Sequence, residues 1–417
     1  MKITKIAYYS FLALMISVVV VPKLSPIFII LLTLVWFSER CFAEKAKVLL
    51  KTPYLLILPF LFALFTLGLI NSDDLSYGFE KLETRLSLLL LPIILPTLKS
   101  LNFAYKKRVF AKWFVYANIA VAIFCLLRAF VYYFYELCFL QNSTLEETDI
   151  SANHFYYSAL SDGIMHPGYL AMYVNTALIL VLFDIRKTLS RNTKIRRIIQ
   201  ASFLVLFIVL LYSKAGVLCM LIVLFAYGVR LAILQKEWWM LPTTAFGLIL
   251  LLLGMYFFVP NTKYRLNGVM QSFQIERLDP LSTESTQTRL HAWKASEVLI
   301  AEQPCFGHGT GDAMHVLRGK YLELGYIGAH TKDMNAHNEY FQTGIALGFL
   351  GIFTLMALFF WGFVVTISRR NFALGIWLLC SALVIYFESY LNTQAGVLFF
   401  AIFAPFLTLL KNGESTS

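Results

Sequence analysis

In the stretch AHTKDMNAHNEYFQTGIALGFLGIF, residues 329–353, a polar segment holding His330 and His337 runs directly into an apolar helix. His337 is expected in the first turn of that helix. The partial positive charge of a helix N-terminus favours a neutral imidazole, the form a general base needs, and also welcomes an anion. The bland alternative is an interfacial histidine that only caps the helix. Upstream, STESTQTRLHAWKASEVLIAEQP reads as a helix with Ser285 or Thr286 as its cap and Pro304 at its end. Arg289, Trp293, Ser296 and Ile300 fall on one face of it, so a guanidinium stands beside an indole. The competing reading is an interfacial helix whose arginine touches lipid headgroups.

CFGHGTGDAM follows, with Gly307, Gly309 and Gly311. Such a turn can present backbone N–H groups to an anion. It is neither a P-loop nor a dinucleotide fingerprint, since no Gly-Lys-Ser/Thr follows and no strand precedes it; a plain loop is the alternative. In YSKAG, Lys214 sits at a short turn between two apolar runs. It either holds a phosphate as a point charge or snorkels to headgroups. MHPGYLAMYVN puts His166 at another helix N-terminus, and YFESY puts Glu388 at the end of an apolar run. Arg128 lies within an apolar run, where snorkelling or pairing is the simplest account.

Long apolar helices must carry these groups. The 417 residues are 59% hydrophobic and only 14% charged, against about a quarter charged in soluble domains, and the mean hydropathy is +0.69. The expected fold is all-α, a polytopic membrane protein with about twelve transmembrane helices. They are placed at 5–21, 25–39, 51–70, 84–99, 111–136, 167–184, 198–213, 215–231, 240–259, 339–366, 373–390 and 393–411. The N-terminal run lacks a small-residue cleavage site and is read as an uncleaved first span. The fourth, with two prolines, is expected to kink or insert only in part.

The basic residues orient this bundle. With both termini cytoplasmic, SERCFAEKAK, KSLNFAYKKRVFAK, DIRKTLSRNTKIRR, RLAILQKE and SRR all fall inside, and most of the Lys and Arg go with them. The outside receives NSDDLSYGFEKLE (71–83), the acidic loop 137–166 and a large segment, 260–338, between the ninth and tenth helices. The chain then divides as 1–259, helices one to nine; 260–338, the outer segment with amphipathic helices; and 339–417, helices ten to twelve with a short tail. All seven histidines (His154, His166, His291, His308, His315, His330, His337) fall on the outer face or its rim. The formal charge of +11 is accounted for by the inner loops, so nucleic acid is not an expected partner, while membrane lipids are. The six cysteines show no metal or disulfide spacing; pairing of Cys138 with Cys305 stays open. No solenoid repeat or internal duplication is visible.

Taken together, TRLHAWKASEVLIAEQPCFGHGTGD followed by HNEYFQTGIALGFLGI resembles the O-antigen ligase and O-antigen polymerase family. The pattern is an Arg, a Trp four residues on, a Pro, a Gly-x-Gly turn, and a His-Asn pair opening a glycine-rich membrane helix. Arg289, Trp293, Pro304, Gly307, Gly309, His337 and Asn338 occupy those places, within roughly 200–365. Family members often carry Ser-Arg-Gly where this chain has Ser213 and Lys214 in SKAG, so the charge is kept and the bidentate fork lost.

The resemblance implies glycan transfer from an undecaprenyl-diphosphate carrier, on the periplasmic side of a bacterial inner membrane. It makes His337 and Arg289 the catalytic pair. Lys214, Arg265, His166, Trp293, Asn338, Gly307 and Gly309 become contacts to the diphosphate or the glycan. The reaction implied is inverting and metal-independent, with no cofactor. Three acceptors stay open: lipid A-core for a ligase, a second lipid-linked glycan for a polymerase, and protein Ser or Thr for an O-oligosaccharyltransferase. The HNEYFQ context and the compact outer segment place the ligase first. The reading from another class is a non-enzymatic flippase of lipid-linked glycans, for which Arg128 is the main intramembrane charge.

Overall fold

A computed structural model describes residues 2–140, 152–183, 190–258 and 279–410. Arg265 lies outside the described residues, as do parts of the 137–166 and 184–197 loops. Among the described residues the secondary structure is helical, with no strand. Each predicted apolar run lies on a helix, which follows from runs of Leu, Ile, Phe and Val that must satisfy their own backbone bonds in lipid. Among the described residues, five helices are long and apolar enough to cross a membrane, Lys2–Val20, Tyr105–Cys138, Lys214–Gln235, Met240–Phe257 and Glu339–Arg369. The pair Pro22–Ser38 and Phe42–Leu50, bent by 113°, adds a sixth if it counts as one span. Four more apolar helices are shorter, at 10–17 residues. The chain is thus a multi-pass membrane protein, and five or six crossings are carried by length and composition where twelve were expected.

The chain packs as two compact units, Met1–Ser38 with Lys99–Met255 and Leu410–Ser417, and Glu39–Leu98 with Tyr256–Leu409. This division by packing runs differently from the division by chain order at 259 and 338. In chain order the helices of the first unit are α1 (Lys2–Val20) and α2 (Ser25–Ser38), then α6 (Phe103–Tyr135), α7 (Tyr157–Ser161), α8 (Pro167–Leu182), α9 (Arg191–Leu211), α10 (Lys214–Gln235) and α11 (Met240–Phe258). Those of the second are α3 (Phe42–Leu50), α4 (Ile57–Leu67), α5 (Leu75–Thr97), α12 (Ser285–Glu302), α13 (Ala313–Glu323), α14 (Ile327–Thr331), α15 (Glu339–Arg369), α16 (Phe372–Phe387) and α17 (Gln394–Leu409).

In the first unit α8 is the centre, packed on α6, α9 and α10. Its residues are apolar all round and nearly all buried, as expected of a core helix. Asn175 donates to the Ala171 and Gly216 carbonyls at 2.8 and 3.0 Å, pinning α8 to α10. Arg128 donates to the carbonyls of Ala159, Leu160 and Asp162. It therefore pairs with the end of α7, whose last carbonyls have no partner within the helix.

In the second unit α17 is buried along its length and packs on α5, while α15 packs on α4, α12 and α16. The α5 helix begins at Leu75, nine residues before the predicted span, because Asp74 caps it by accepting from Tyr77 N–H at 2.9 Å. The 71–83 stretch is thus helical from Leu75 onward. It remains helical through Pro92. A short helix, α3, also forms where an inner loop was expected. All six cysteines are free thiols.

The α15 helix departs from its sequence pattern. Gly348 takes φ 62° and ψ −156° and breaks it, a conformation essentially reserved for glycine. The break frees the Ile345 and Ala346 carbonyls and the Phe349 N–H. The Pro304–Gly309 turn fills them: His308 N–H donates to Ile345, Gly309 N–H to Ala346, and Phe349 N–H to the Pro304 carbonyl at 2.7 Å. A buried helix break is tolerable only when its backbone groups find such partners.

Candidate active site

His337 lies outside α15, not in its first turn. Asn338 is the cap, its side-chain oxygen accepting from Tyr340 and Phe341 N–H at 2.9 and 3.2 Å, and the helix starts at Glu339. Asn338 is buried; its carbonyl oxygen is used in capping. His337 has φ 42°, in the left-handed region that histidine enters more readily than most residues. Three contacts hold it there. Its N–H donates to Asn335 Oδ1 at 2.8 Å, Ala336 N–H donates to Gln342 Oε1, and Tyr321 Oη donates to the Met334 carbonyl.

The ring of His337 pairs through Nδ1 with Glu388 Oε2 at 3.1 Å. Both side chains are about one-fifth exposed. An ionised carboxylate at Nδ1 selects the tautomer with the proton on that nitrogen. Nε2 is left as a lone-pair acceptor with no protein partner among the described residues. A base so oriented can take a proton from a hydroxyl and hold it while the carboxylate stabilises the imidazolium.

Arg289 and Trp293 lie one turn apart on α12. The cap of that helix is Glu284, which accepts from Thr286 and Gln287 N–H at 2.7 and 3.0 Å; Ser285 is the first helical residue. Ser296 and Ile300, on the same face, are buried, and Ile300 packs where a Cβ on Gly344 would lie 2.7 Å away. The exposed-lipid reading of this face is therefore replaced by packing on α15. Arg289 Nε and Trp293 Nε1 are both buried without a hydrogen-bond partner. Two unsatisfied donors on one face are costly unless a ligand accepts from them. The Trp293 ring meets Tyr386 edge-on at 5.3 Å and Phe341 at 6.2 Å. Tyr386 precedes Glu388 by two residues, so Trp293 ties α12 to the neighbourhood of the His337–Glu388 pair.

The glycine turn does other work. Gly307 N–H donates to Gln303, Thr310 N–H to Gly68, and Gly311 N–H to Ser72 Oγ, besides the two bonds into the α15 break. Every amide from 307 to 311 is taken, so none is left for an anion. A Cβ at Gly307 would lie 2.5 Å from Leu347 N, and one at Gly309 2.5 Å from Ser72 Oγ. These glycines are required for close backbone approach.

In the first unit, Ser213 caps α10 and Lys214 is its first, exposed residue. His166 caps α8, accepting from Gly168 N–H at 3.3 Å. A Cβ on Gly168 would lie 3.3 Å from His166 Nδ1 and 3.9 Å from Ser213 Oγ, so the two helix N-termini adjoin. His166 and Lys214 thus share one neighbourhood.

Outside the spans, His291 is fully buried and stacked on Tyr326 at 4.3 Å between centroids, with neither ring nitrogen bonded. Burial pushes its imidazole below the usual range, nearby Lys294 adds to this, and Asp279 opposes it. Among the described residues no group of three or more His, Cys, Asp or Glu is placed to hold a metal.

Sequence reasoning placed Glu388 at the outer end of a helix but gave it no role, and passed over Glu339 and Arg85 entirely. The signal for Arg85 was present: a charge inside LETRLSLLLL, where an apolar setting makes it a functional suspect. Residues 199–356 match the profile of a family described as O-Antigen ligase. No curated protein matches the chain. The matched region contains Lys214, Arg289, Trp293, the glycine turn, His337 and Asn338. It excludes His166, Arg85 and Glu388.

Proposed function

We propose, from the match of residues 199–356 to the O-antigen ligase profile, that this chain is a member of that family and a membrane glycosyltransferase acting as a ligase. It moves a glycan from undecaprenyl diphosphate to lipid A-core, at the periplasmic face of the inner membrane, with both termini in the cytoplasm. The observation that carries the reading is the His337–Glu388 pair at 3.1 Å, which leaves Nε2 as a base.

The acceptor hydroxyl oxygen attacks the anomeric carbon of the donor sugar as its proton passes to His337 Nε2. The bond from that carbon to the diphosphate oxygen breaks, and undecaprenyl diphosphate leaves with the electron pair. One displacement inverts the anomeric configuration. Arg289 donates to the diphosphate oxygens as charge grows on them, an electrostatic contribution that replaces part of their hydration. Trp293 supplies a second N–H and an aromatic face to the sugar. The reaction needs no metal in this scheme, because cationic side chains take the leaving group's charge. In the first unit, Lys214 and His166 bring a positive charge and a helix N-terminus to the phosphate-bearing carrier. Asn338 acts through the backbone, by fixing the helix that follows His337.

Arg128 weighs against a flippase, since the charge that a transport path would use is engaged by carbonyls. The test is purified protein with a lipid-diphosphate-linked glycan and, separately, lipid A-core or no added acceptor. Glycosylated lipid A-core supports the ligase. Longer chains from donor alone replace it with the polymerase, and no product in either assay refutes both.

A further inference from the structure

Arg85 and Glu339 are deeply buried charges in the second unit, at 4% and 0% exposed, and the chemistry above uses neither. Both grip the same residue, Leu391. Glu339 Oε2 accepts from Leu391 N–H at 2.7 Å, with Oε1 held by Thr343 at 2.8 Å. Arg85 Nε donates to the Leu391 carbonyl at 3.1 Å and Nη2 to Asn392 Oδ1 at 2.8 Å. The guanidinium lies over the Phe65 ring at 4.0 Å. On one side Glu339 faces apolar neighbours, including Leu58, Leu355, Phe359 and Ile385.

We propose that Arg85 and Glu339 form a charged clamp on the Tyr390–Asn392 turn that positions Glu388 against His337. The inference rests on the reading of His337 as the base. The connectivity is what assigns the role. Glu339 follows His337 by two residues, and Leu391 follows Glu388 by three. The clamp therefore joins the chain just after His337 to the chain just after Glu388 and fixes both sides of a 3.1 Å pair. Buried charges of opposite sign are weak as a source of stability, since desolvation offsets their attraction. What they give here is a single geometry, with opposite charges on the N–H and the C=O of one residue, Leu391. Arg85 and Glu339 are positioning residues, acting through Glu388.

The test uses the full-length protein in detergent with lipid-linked donor and lipid A-core, measuring kcat, KM and the folded fraction. Arg85→Gln and Glu339→Gln should each lower kcat by about 10²-fold, the scale of an ångström-sized misplacement, with the donor KM little changed. Arg85→Lys, which keeps the charge but not the planar fork, should recover part of the loss. In a Glu388→Gln background the same substitutions should lower kcat no further, because they act through that residue. Losses that multiply with Glu388→Gln would overturn the clamp. Should the buried-charge variants fail to fold, Asn392→Ala removes one contact while both charges stay, and a kcat equal to wild type per folded molecule would also overturn it. His337→Ala separates the two levels. If it keeps turnover, the reading of the base falls; if it is inactive while Arg85 and Asn392 variants turn over normally, only the clamp falls.

Discussion

Replacing Gly348 with alanine is expected to undock the glycine turn from α15. At φ 62° and ψ −156° a residue with a Cβ is strained by about 1–3 kcal/mol. The new Cβ would also stand 2.4 Å from the Pro304 carbonyl oxygen and 2.6 Å from the Cys305 carbonyl carbon. These are backbone atoms and cannot rotate aside, so the turn must leave. Leaving forfeits three hydrogen bonds, Phe349 to Pro304, His308 to Ile345 and Gly309 to Ala346, at 2.7, 2.8 and 3.1 Å. At about 1 kcal/mol net each the total reaches about 4–6 kcal/mol. If α15 recloses as a continuous helix it recovers some of this, so the lower figure is the safer expectation. At roughly 2–4 °C per kcal/mol for a domain of 150–250 residues, the melting temperature should fall by about 8 °C or more. Thermal unfolding in detergent, followed by intrinsic fluorescence, measures it. A melting temperature within 2 °C of wild type (an order-of-magnitude threshold set by that same scale) would refute the argument that the turn is seated on the break.

The remaining expectations concern the site and its surroundings. His337→Ala should lower turnover by about 10²–10⁴-fold, the usual worth of a general base, and Arg289→Ala by about 10²–10³-fold, with the folded fraction unchanged; near wild-type turnover in either refutes its role. Lys214→Arg should keep activity if a phosphate is held there, whereas Lys214→Ala should raise the donor KM; steady-state kinetics distinguish them. His291 is held neutral in the fold and takes a proton more readily when unfolded. The unfolded state therefore binds more protons below about pH 6.5, and stability should be full above that pH and fall as pH drops through it. Melting temperatures between pH 7.5 and 5.5 should fall less steeply for His291→Phe, which keeps the stacking on Tyr326 and cannot be protonated; parallel slopes would refute this origin.

Much of this protein is written locally in its chain. Runs of apolar residues determined where helices form, since in lipid a segment must satisfy its own backbone. The four-residue spacing of Arg289 and Trp293 determined that they share a face, and it does not depend on what the face meets. The His-Asn pair at 337–338 marked a helix start, although which of the two is the cap was a matter of side-chain geometry that residue types alone do not rank. Other features belong to the tertiary structure. The Gly307–Gly309 turn reads as an anion cradle until the break at Gly348 supplies carbonyls for its amides. Glu388 reads as a terminal acid until it meets His337, 51 residues away in sequence. Arg85 reads as an awkward charge in an apolar helix until it reaches Leu391, 306 residues on. Local pattern encodes the backbone's need for hydrogen bonds and the side chain's need for a solvent. It carries no record of which distant residue will satisfy a buried charge, and that choice, made by packing, is what sets Glu388 against His337.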